Sequence, residues 1–361
     1  MRRFAVLIIV ALLTPAPAGA GPEAVASIAP VHSLVARVMQ GAGEPYLLVP
    51  PGQSPHDHAL RPSGAAALER AALVFRVDPG LERWLERPLA TLAATAREVR
   101  LSTTPGLTRM ARREGVAFEA HDHGDDHGDE HADEHDIDPH LWLDPENAKI
   151  WLGEIAAAFA AVDPANAVLY RANAAAARAE LDGLSVAIEA RLAPVRGRPF
   201  IVFHDGYQYF ERRFRIEAAG AVALSDARPP GPTRLARIRE RLRASGALCL
   251  FREPQFRSPL INTVAEGAGV RIGVLDPLGA GLAPGPGLYP ALLAALADSL
   301  ADCLEQKTGV GRRQTRHSAL YSHATARGRI RWHDSRHLVS PLFLRSSCSL
   351  PAPPPRRMLP W

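Results

Sequence analysis

Residues 163–193 read DPANAVLYRANAAAARAELDGLSVAIEARLA, and this stretch decides the fold. Asp163 followed by Pro164 is typical of a helix start, because the carboxylate caps free N–H groups and proline suits the first helical turn. Alanine-rich sequence then continues with Gly183 as its only glycine and without a further proline. At a rise of 1.5 Å per residue the predicted helix spans roughly 45 Å. A helix of this length can pass along two separate lobes.

Strand and helix patterns alternate on both sides of this helix. Before it, short apolar runs at 24–28, 46–49, 73–77 and 99–101 alternate with helical patterns at 31–39, 63–72 and 81–94. After it, strand patterns at 200–203, 220–223, 248–251 and 270–275 alternate with helices at 233–244, near 259–267, and up to Cys303. Strands separated by crossover helices form mainly parallel sheets. The sequence therefore predicts an α/β protein with two lobes, each a mainly parallel sheet flanked by helices, joined by one long backbone helix.

These patterns divide the chain into five segments. We expect a signal peptide at 1–20, an N-terminal lobe at 21–162, a linking helix at 163–195 and a C-terminal lobe at 196–305. The remaining residues, 306–361, form a basic tail that lacks regular patterning and is expected to be disordered. A His-rich loop at 121–138 interrupts the N-terminal lobe.

The N-terminus has the three parts of a secretory signal peptide. Two arginines follow Met1, an apolar run covers 4–13, and the small residues Ala18-Gly19-Ala20 come last. A membrane anchor is the alternative, but the apolar run is about half of the roughly 20 residues that a spanning helix needs. We expect cleavage after Ala20 and export to the periplasm.

The net charge of +4 conceals an asymmetry between the body and the tail. The tail contains eleven Lys and Arg but only one acidic residue, Asp334. Without the tail and the two N-terminal arginines, 29 basic residues stand against 37 acidic ones. An acidic body attracts cations and argues against nucleic-acid binding, which usually needs a basic face.

Five histidines are clustered in one short segment of the sequence. An acidic tract contains His121, His123, His127, His131 and His135. Imidazoles among carboxylates favour Zn²⁺, Cu²⁺ or Ni²⁺, and an unpatterned tract of this kind indicates a secondary metal-collecting loop. A charged linker without a ligand role is the alternative interpretation.

A rigid principal site is predicted at the ends of strands, where three further histidines stand. His56 follows the strand pattern at 46–49, His140 lies in DPHLWLDP, and His204 ends FIVFH. Asp276 follows the strand pattern at 270–275 and is the fourth candidate. Ligands of parallel α/β sheets bind at the carboxyl ends of strands, and three imidazoles with a carboxylate or water form a four-coordinate zinc set.

Several linked motifs resemble those of the zinc-specific, ZnuA-type solute-binding proteins of ABC transporters, in the cluster 9 metal-binding family. The similarity covers about 24–304. It rests on SPHDH at 54–58 with RPS at 61–63, HLWLDP at 140–145, FHDGYQYF at 203–210, EPQF at 253–256 and LDPLG at 275–279. The resemblance implies two α/β lobes on a long helix, Zn²⁺ held between them, and delivery to a membrane permease.

When the ligand positions of the family are carried over to this sequence, the resemblance implies which residues bind the metal. His56, His140 and His204 match the family's three histidines, and Asp276 matches its carboxylate. Zinc-specific relatives often have Glu immediately before the first histidine, whereas this chain has Pro55. Asp276 or a water must therefore complete the ligand shell, with His58 as a further alternative.

The three cysteines are too few for a disulfide scaffold but allow one bridge. Cys249 and Cys303 both lie in patterned segments, whereas Cys348 lies in the tail. The resemblance also supports pairing Cys249 with Cys303.

The sequence therefore predicts a monomeric periplasmic protein that captures Zn²⁺ for an ABC permease and catalyses no reaction. One alternative is the same fold serving Mn²⁺ or Fe²⁺, although those ions favour sites with more carboxylates. Another is a secreted zinc hydrolase, for which Asp57 or Asp205 would act as general base; no His-Glu-x-x-His motif is present. A metal buffer that serves no transporter is a third alternative.

Overall fold

The computed structural model describes residues 21–113, 137–223, 231–256 and 259–305. The chain divides after Thr308 into two units, and all of these residues lie in the first. The predicted signal peptide, the five histidines of the acidic tract and the basic tail lie outside the described residues. No helix within the described ranges is long and apolar enough to cross a membrane.

The N-terminal lobe contains a four-stranded parallel sheet with the strand order β2-β1-β3-β4. Val25, Val74 and their neighbours on β1 and β3 are buried on both faces, as expected for strands covered by helices on each side. Its elements are β1 (Ala24–Ala26), α1 (Ala29–Met39), β2 (Tyr46–Leu47), α2 (Pro62–Arg70), β3 (Leu73–Arg76), α3 (Glu86–Leu92) and β4 (Arg97–Arg100).

Within the described residues, two α-helices follow the N-terminal sheet before the C-terminal sheet begins. They are α4 (Pro145–Val162) and α5 (Ala167–Leu192), packed along one another. The predicted linking helix is confirmed as α5, flanked by single 3-10 turns at Pro164–Asn166 and Ala193–Val195. Its 26 residues correspond to roughly 39 Å. Because α5 contacts α1 in one lobe and the helix Leu288–Leu304 in the other, it passes along both lobes.

The C-terminal lobe repeats the parallel arrangement with the strand order β6-β5-β7-β8. The predicted fold class is therefore confirmed in both lobes. Its elements are β5 (Phe200–His204), α6 (Gln208–Phe214), β6 (Ala221–Ala223), α7 (Pro232–Ser245), β7 (Cys249–Arg252), α8 (Pro259–Ala265), β8 (Arg271–Val274) and α9 (Leu288–Leu304).

Among the described residues, the largest of three hydrophobic clusters continues from one lobe into the other. It contains Val31 and Phe75 of the N-terminal lobe, Trp151 of α4, and Phe251 and Leu293 of the C-terminal lobe. Hydrogen bonds also join the lobes. The Tyr289 hydroxyl donates to the Trp142 carbonyl at 2.6 Å, and the Trp142 indole donates to the Pro277 carbonyl at 2.8 Å.

A disulfide joins Cys249 on β7 to Cys303 on α9, as the sequence predicted. The two residues are 54 positions apart in the chain. The bond therefore closes a long loop and restricts the unfolded chain, which is the main way in which a disulfide stabilises a fold.

Candidate metal centre

Two of the predicted ligand histidines meet between the lobes. His204 is the last residue of β5, and His140 immediately precedes the 3-10 turn Leu141–Leu143 that leads into α4. Both side chains are buried, and their Nε2 atoms lie 3.1 Å apart. Any two nitrogen ligands of a tetrahedral zinc shell, each about 2.05 Å from the metal, would be roughly 3.3 Å apart. The separation of the two imidazoles is therefore close to what one zinc ion needs.

Each of these imidazoles is oriented by a buried carboxylate on its other nitrogen. Nδ1 of His140 lies 2.6 Å from Oδ1 of Asp138, and Nδ1 of His204 lies 2.6 Å from Oε1 of Glu253. When Nδ1 donates its proton to a carboxylate, the lone pair of the neutral ring is on Nε2. Both lone pairs then face the same space, which is the arrangement that binds a cation.

Asp138 remains a charged acceptor in this arrangement. Burial acts to raise its pKa, but the attraction of a protonated His140 ring, the hydrogen bonds from His140 and the hydrogen bond from Gln208 outweigh burial and hold the pKa below its usual range. The carboxylate therefore stays ionised at neutral pH and continues to fix the His140 ring.

His56 lies beside this pair. Its ring centroid is 5.6 Å from that of His140, and its backbone N–H donates to Oγ of Ser54 at 3.1 Å. It lines the same cavity as His140 and His204, together with Trp142 and Phe256. Among the residues that the structure describes, no three His, Cys, Asp or Glu side chains already form a complete metal-binding group. The structure thus brings two predicted ligands together and places the third next to them.

Asp276 organises a turn at the edge of the cavity. Its Oδ1 accepts hydrogen bonds from Nε2 of Gln255 at 2.9 Å and from the backbone N–H groups of Leu278 and Gly279 at 3.1 and 3.0 Å. Pro277 and Leu278, which follow it, line the cavity. Asp276 is thus adjacent to the candidate centre, and its role as a ligand stays a prediction.

His58, the alternative fourth ligand, packs against Trp84 with ring centroids 4.7 Å apart. Burial, and secondarily the charge of Arg61, lower the pKa of His58. The Trp84 indole donates to the carbonyl of Pro55 at 2.8 Å, so this packing supports the loop that carries His56.

Gly206 provides the space between the two paired imidazoles. A Cβ at this position would lie 2.4 Å from Nε2 of His204 and 3.1 Å from Nε2 of His140. Any other residue would therefore enter the volume that a metal ion would occupy. This explains the glycine within the HDGY motif in steric terms.

Sequence analysis did not identify Asp138, Glu253 or Gly206 as site residues. Asp138 stands two positions before a predicted ligand, and Glu253 directly follows β7, the strand next to β5. The carboxyl ends of neighbouring parallel strands meet at one sheet edge, so Glu253 could have been paired with His204 on this basis.

Fold and site together define a class: a two-lobed metal-binding protein of the solute-binding type, with imidazoles at the interface of its lobes. The model of the family described as "Zinc-uptake complex component A periplasmic" matches residues 24–303, and the chain belongs to this ZnuA family. Over 312 residues the chain is 44% identical to the high-affinity zinc uptake system protein ZnuA of Brucella suis, covering 80% of this chain and 93% of the relative.

Solved structures show the same fold. A crystal structure of ZnuA aligns with a TM-score of 0.66 at 24% identity, covering 79% of this chain and 100% of the other. A zinc-bound ZnuA deletion mutant aligns with a TM-score of 0.64 at 24% identity, covering 79% and 98%.

Proposed function

We propose that this protein is a monomer that captures Zn²⁺ in the periplasm, delivers it to the membrane permease of an ABC importer, and catalyses no reaction. The observation that carries the proposal is the pair of Nε2 atoms of His140 and His204, which face each other at 3.1 Å while a carboxylate holds each Nδ1. Family membership and the zinc uptake proteins among its relatives support the same cargo.

The surroundings of the pair favour zinc over harder ions. Asp138 and Glu253 contact the pair, and each has an oxygen directed to an imidazole Nδ1. Oδ1 of Asp276 is engaged by the turn at 276–279. Mn²⁺ and Fe²⁺ prefer oxygen ligands, whereas Zn²⁺ binds readily to imidazole nitrogen. The proposed ligands are His56, His140 and His204, with Asp276 or a water completing the shell after the His56 ring moves toward the pair.

Transport rather than hydrolysis fits the acidic groups near the site. A zinc hydrolase needs a general base close to an open coordination position. Asp205, which adjoins His204, is instead held in an ion pair with Arg113. The charge of this carboxylate is therefore engaged with a cation rather than offered to a metal-bound water.

Metal competition tests the choice of cargo. Because the ligands are imidazoles, the metal-free protein is expected to bind one Zn²⁺ tightly and to retain it when an equal concentration of Mn²⁺ is added. Fluorescence competition with a zinc chelator, performed with and without Mn²⁺, measures this preference. Displacement of Zn²⁺ by equimolar Mn²⁺ would contradict zinc as the cargo and would indicate a manganese-binding protein of the same fold.

The acidic His tract is proposed to collect additional ions for this site. The unpatterned sequence of the tract predicts a segment that would lose conformational entropy on ordering around each ion, whereas the paired histidines are already positioned. Deleting 121–135 is therefore expected to lower the total number of zinc ions bound and to leave the tightest binding event intact. Calorimetric titration measures both quantities.

A matched variant separates loss of ligands from shortening of the loop. Replacing the five tract histidines with Asn keeps the loop length and should give the same lower stoichiometry as the deletion. Loss of the tightest event in either variant would show that the tract supplies the principal ligands.

Segment boundaries and export complete the proposal. Residues 1–20 have the charge, apolar run and small-residue exit of a signal peptide, cleaved after Ala20. The mature protein would then comprise lobes at 21–162 and 196–305 around the linking helix at 163–195, followed by the tail at 306–361.

A further inference from the structure

Two side chains that contact the neighbours of the paired imidazoles connect the lobes. The N-terminal lobe contributes the segment 110–113, which follows β4, and the C-terminal lobe contributes α6, which begins four residues after His204. Arg113 and Gln208 make the principal contacts between them, and we name this pair the interlobe brace.

Arg113 is bound by two buried carboxylates of the C-terminal lobe. Its Nε donates to both carboxylate oxygens of Asp205, at 2.9 and 3.1 Å, and its Nη1 donates to Oε2 of Glu211 at 2.7 Å. Asp205 and Glu211 are 7% and 3% exposed. Two buried carboxylates require a cation to offset their desolvation, so Arg113 is held firmly in this position. Since Asp205 directly follows His204, this contact ties a segment of the N-terminal lobe to a ligand-bearing segment of the C-terminal lobe.

Gln208 makes the reverse connection. Its Nε2 donates to Oδ2 of Asp138 at 2.6 Å and to the carbonyl of Ala111 at 3.0 Å. The other oxygen of Asp138 holds Nδ1 of His140. Tyr209 reinforces the contact, because its hydroxyl accepts from the N–H of Met110 and donates to the carbonyl of Asp138. The orientation of His140 is thus fixed by a helix that starts next to His204.

We propose that Arg113 and Gln208 are positioning residues that set the distance between His140 and His204 and thereby determine the metal affinity of the site. The inference rests on the proposed function. The continuous core, built on α1, α4, α5 and α9, fixes the general arrangement of the lobes. The brace contacts Asp205, which follows His204, and Asp138, which holds the His140 ring, so small displacements of these contacts change the ligand geometry.

Loss of either brace residue is expected to weaken metal binding without removing a ligand. Mutation of groups that orient metal ligands typically lowers affinity by about 10- to 100-fold. Arg113→Gln and Gln208→Leu should each lower the Zn²⁺ affinity within this range in a chelator competition. Because the geometry changes, the visible absorption bands of the Co²⁺-loaded variants should also shift in position or intensity from those of the parent.

Two further variants separate positioning from general stability. Arg76→Gln removes another ion-paired arginine, which is fully buried and whose partners Glu86 and Glu98 lie on α3 and β4. This variant should have a lower free energy of unfolding than the parent. Its Zn²⁺ affinity and its Co²⁺ spectrum should be the same as those of the parent. Arg113→Lys keeps the charge but loses the planar fork, so its affinity should fall between those of the parent and Arg113→Gln.

The outcomes distinguish this inference from the proposed function. If the parent protein itself binds neither Zn²⁺ nor Co²⁺ tightly, the proposed function fails. If the parent binds and folded Gln208→Leu keeps the parent's affinity and spectrum, the brace has no positioning role. An equal loss of affinity in Arg76→Gln would likewise overturn the inference, because it would assign the effect to stability. If Arg113→Gln does not fold, Gln208→Leu still tests the inference, because this substitution removes no charge.

Discussion

The replacement His204→Ala is expected to weaken Zn²⁺ binding by about 100- to 1000-fold. Zinc sites with four protein ligands bind with roughly 10–16 kcal/mol, so one ligand contributes about 2.5–4 kcal/mol, and each 1.4 kcal/mol is a factor of ten. His204 has a central place in the site, since its Nε2 faces that of His140 and its Nδ1 is fixed by Glu253. A chelator competition on the purified, metal-free variant measures the change.

The matched control is His32→Ala, which removes another buried histidine. His32 lies on α1 and its Nε2 is 2.9 Å from the carbonyl of Pro45, outside the metal cavity. This variant should retain the parent's affinity even if it is less stable. A folded His204→Ala protein that binds one Zn²⁺ as tightly as the parent would rule out the paired imidazoles as the principal site.

Lowering the pH is expected to remove Zn²⁺ affinity over the range in which histidine titrates. A proton and the metal compete for Nε2, so affinity is highest above the ordinary histidine pKa near 6.5 and falls below it. Each pH unit below the pKa of a ligand imidazole should cost about tenfold in affinity, so a site with several histidine ligands should lose affinity steeply as the pH falls. Asp138 keeps its charge in this range because its pKa lies below the usual value, so the competing proton goes to the ring and not to the carboxylate that orients it.

Dissociation constants measured at pH 7.5, 6.5 and 5.5, corrected for protonation of the chelator, test this expectation. Near-ultraviolet circular dichroism at each pH controls for unfolding. An affinity that stays constant across the range would contradict a site made of histidines.

The sequence predicted the fold well because its signals are local. The Ala-rich run predicted α5, and strand patterns predicted the eight strands of the described residues and their parallel arrangement. The single helix expected at 81–94 is instead a 3-10 turn, Arg83–Leu85, followed by α3, since Pro88 lacks the N–H that a continuous helix would need there. The helix α4 was not predicted, although Asp144 caps it and Pro145 occupies its first position.

The site was predicted less completely, because its supporting contacts are distant in sequence. His140 and His204 could be proposed as ligands from their places near motif and strand ends. The Glu253 contact with His204 spans 49 positions, and the Gln208 contact with Asp138 spans 70. A periodic pattern along the sequence does not reveal contacts between residues this far apart. These contacts depend on which strands become neighbours and on how the two lobes meet. Only the folded structure gives this information.

The core shared by the two lobes limits how this protein can evolve. Residues such as Trp151 on α4 and Leu293 on α9 belong to one packed interior, and that interior tolerates little change of volume at any point. Neither lobe is therefore an exchangeable module. A chimera that combined one lobe of this chain with the other lobe of a distant relative would have mismatched surfaces along α5, whereas loops outside the core could be replaced independently.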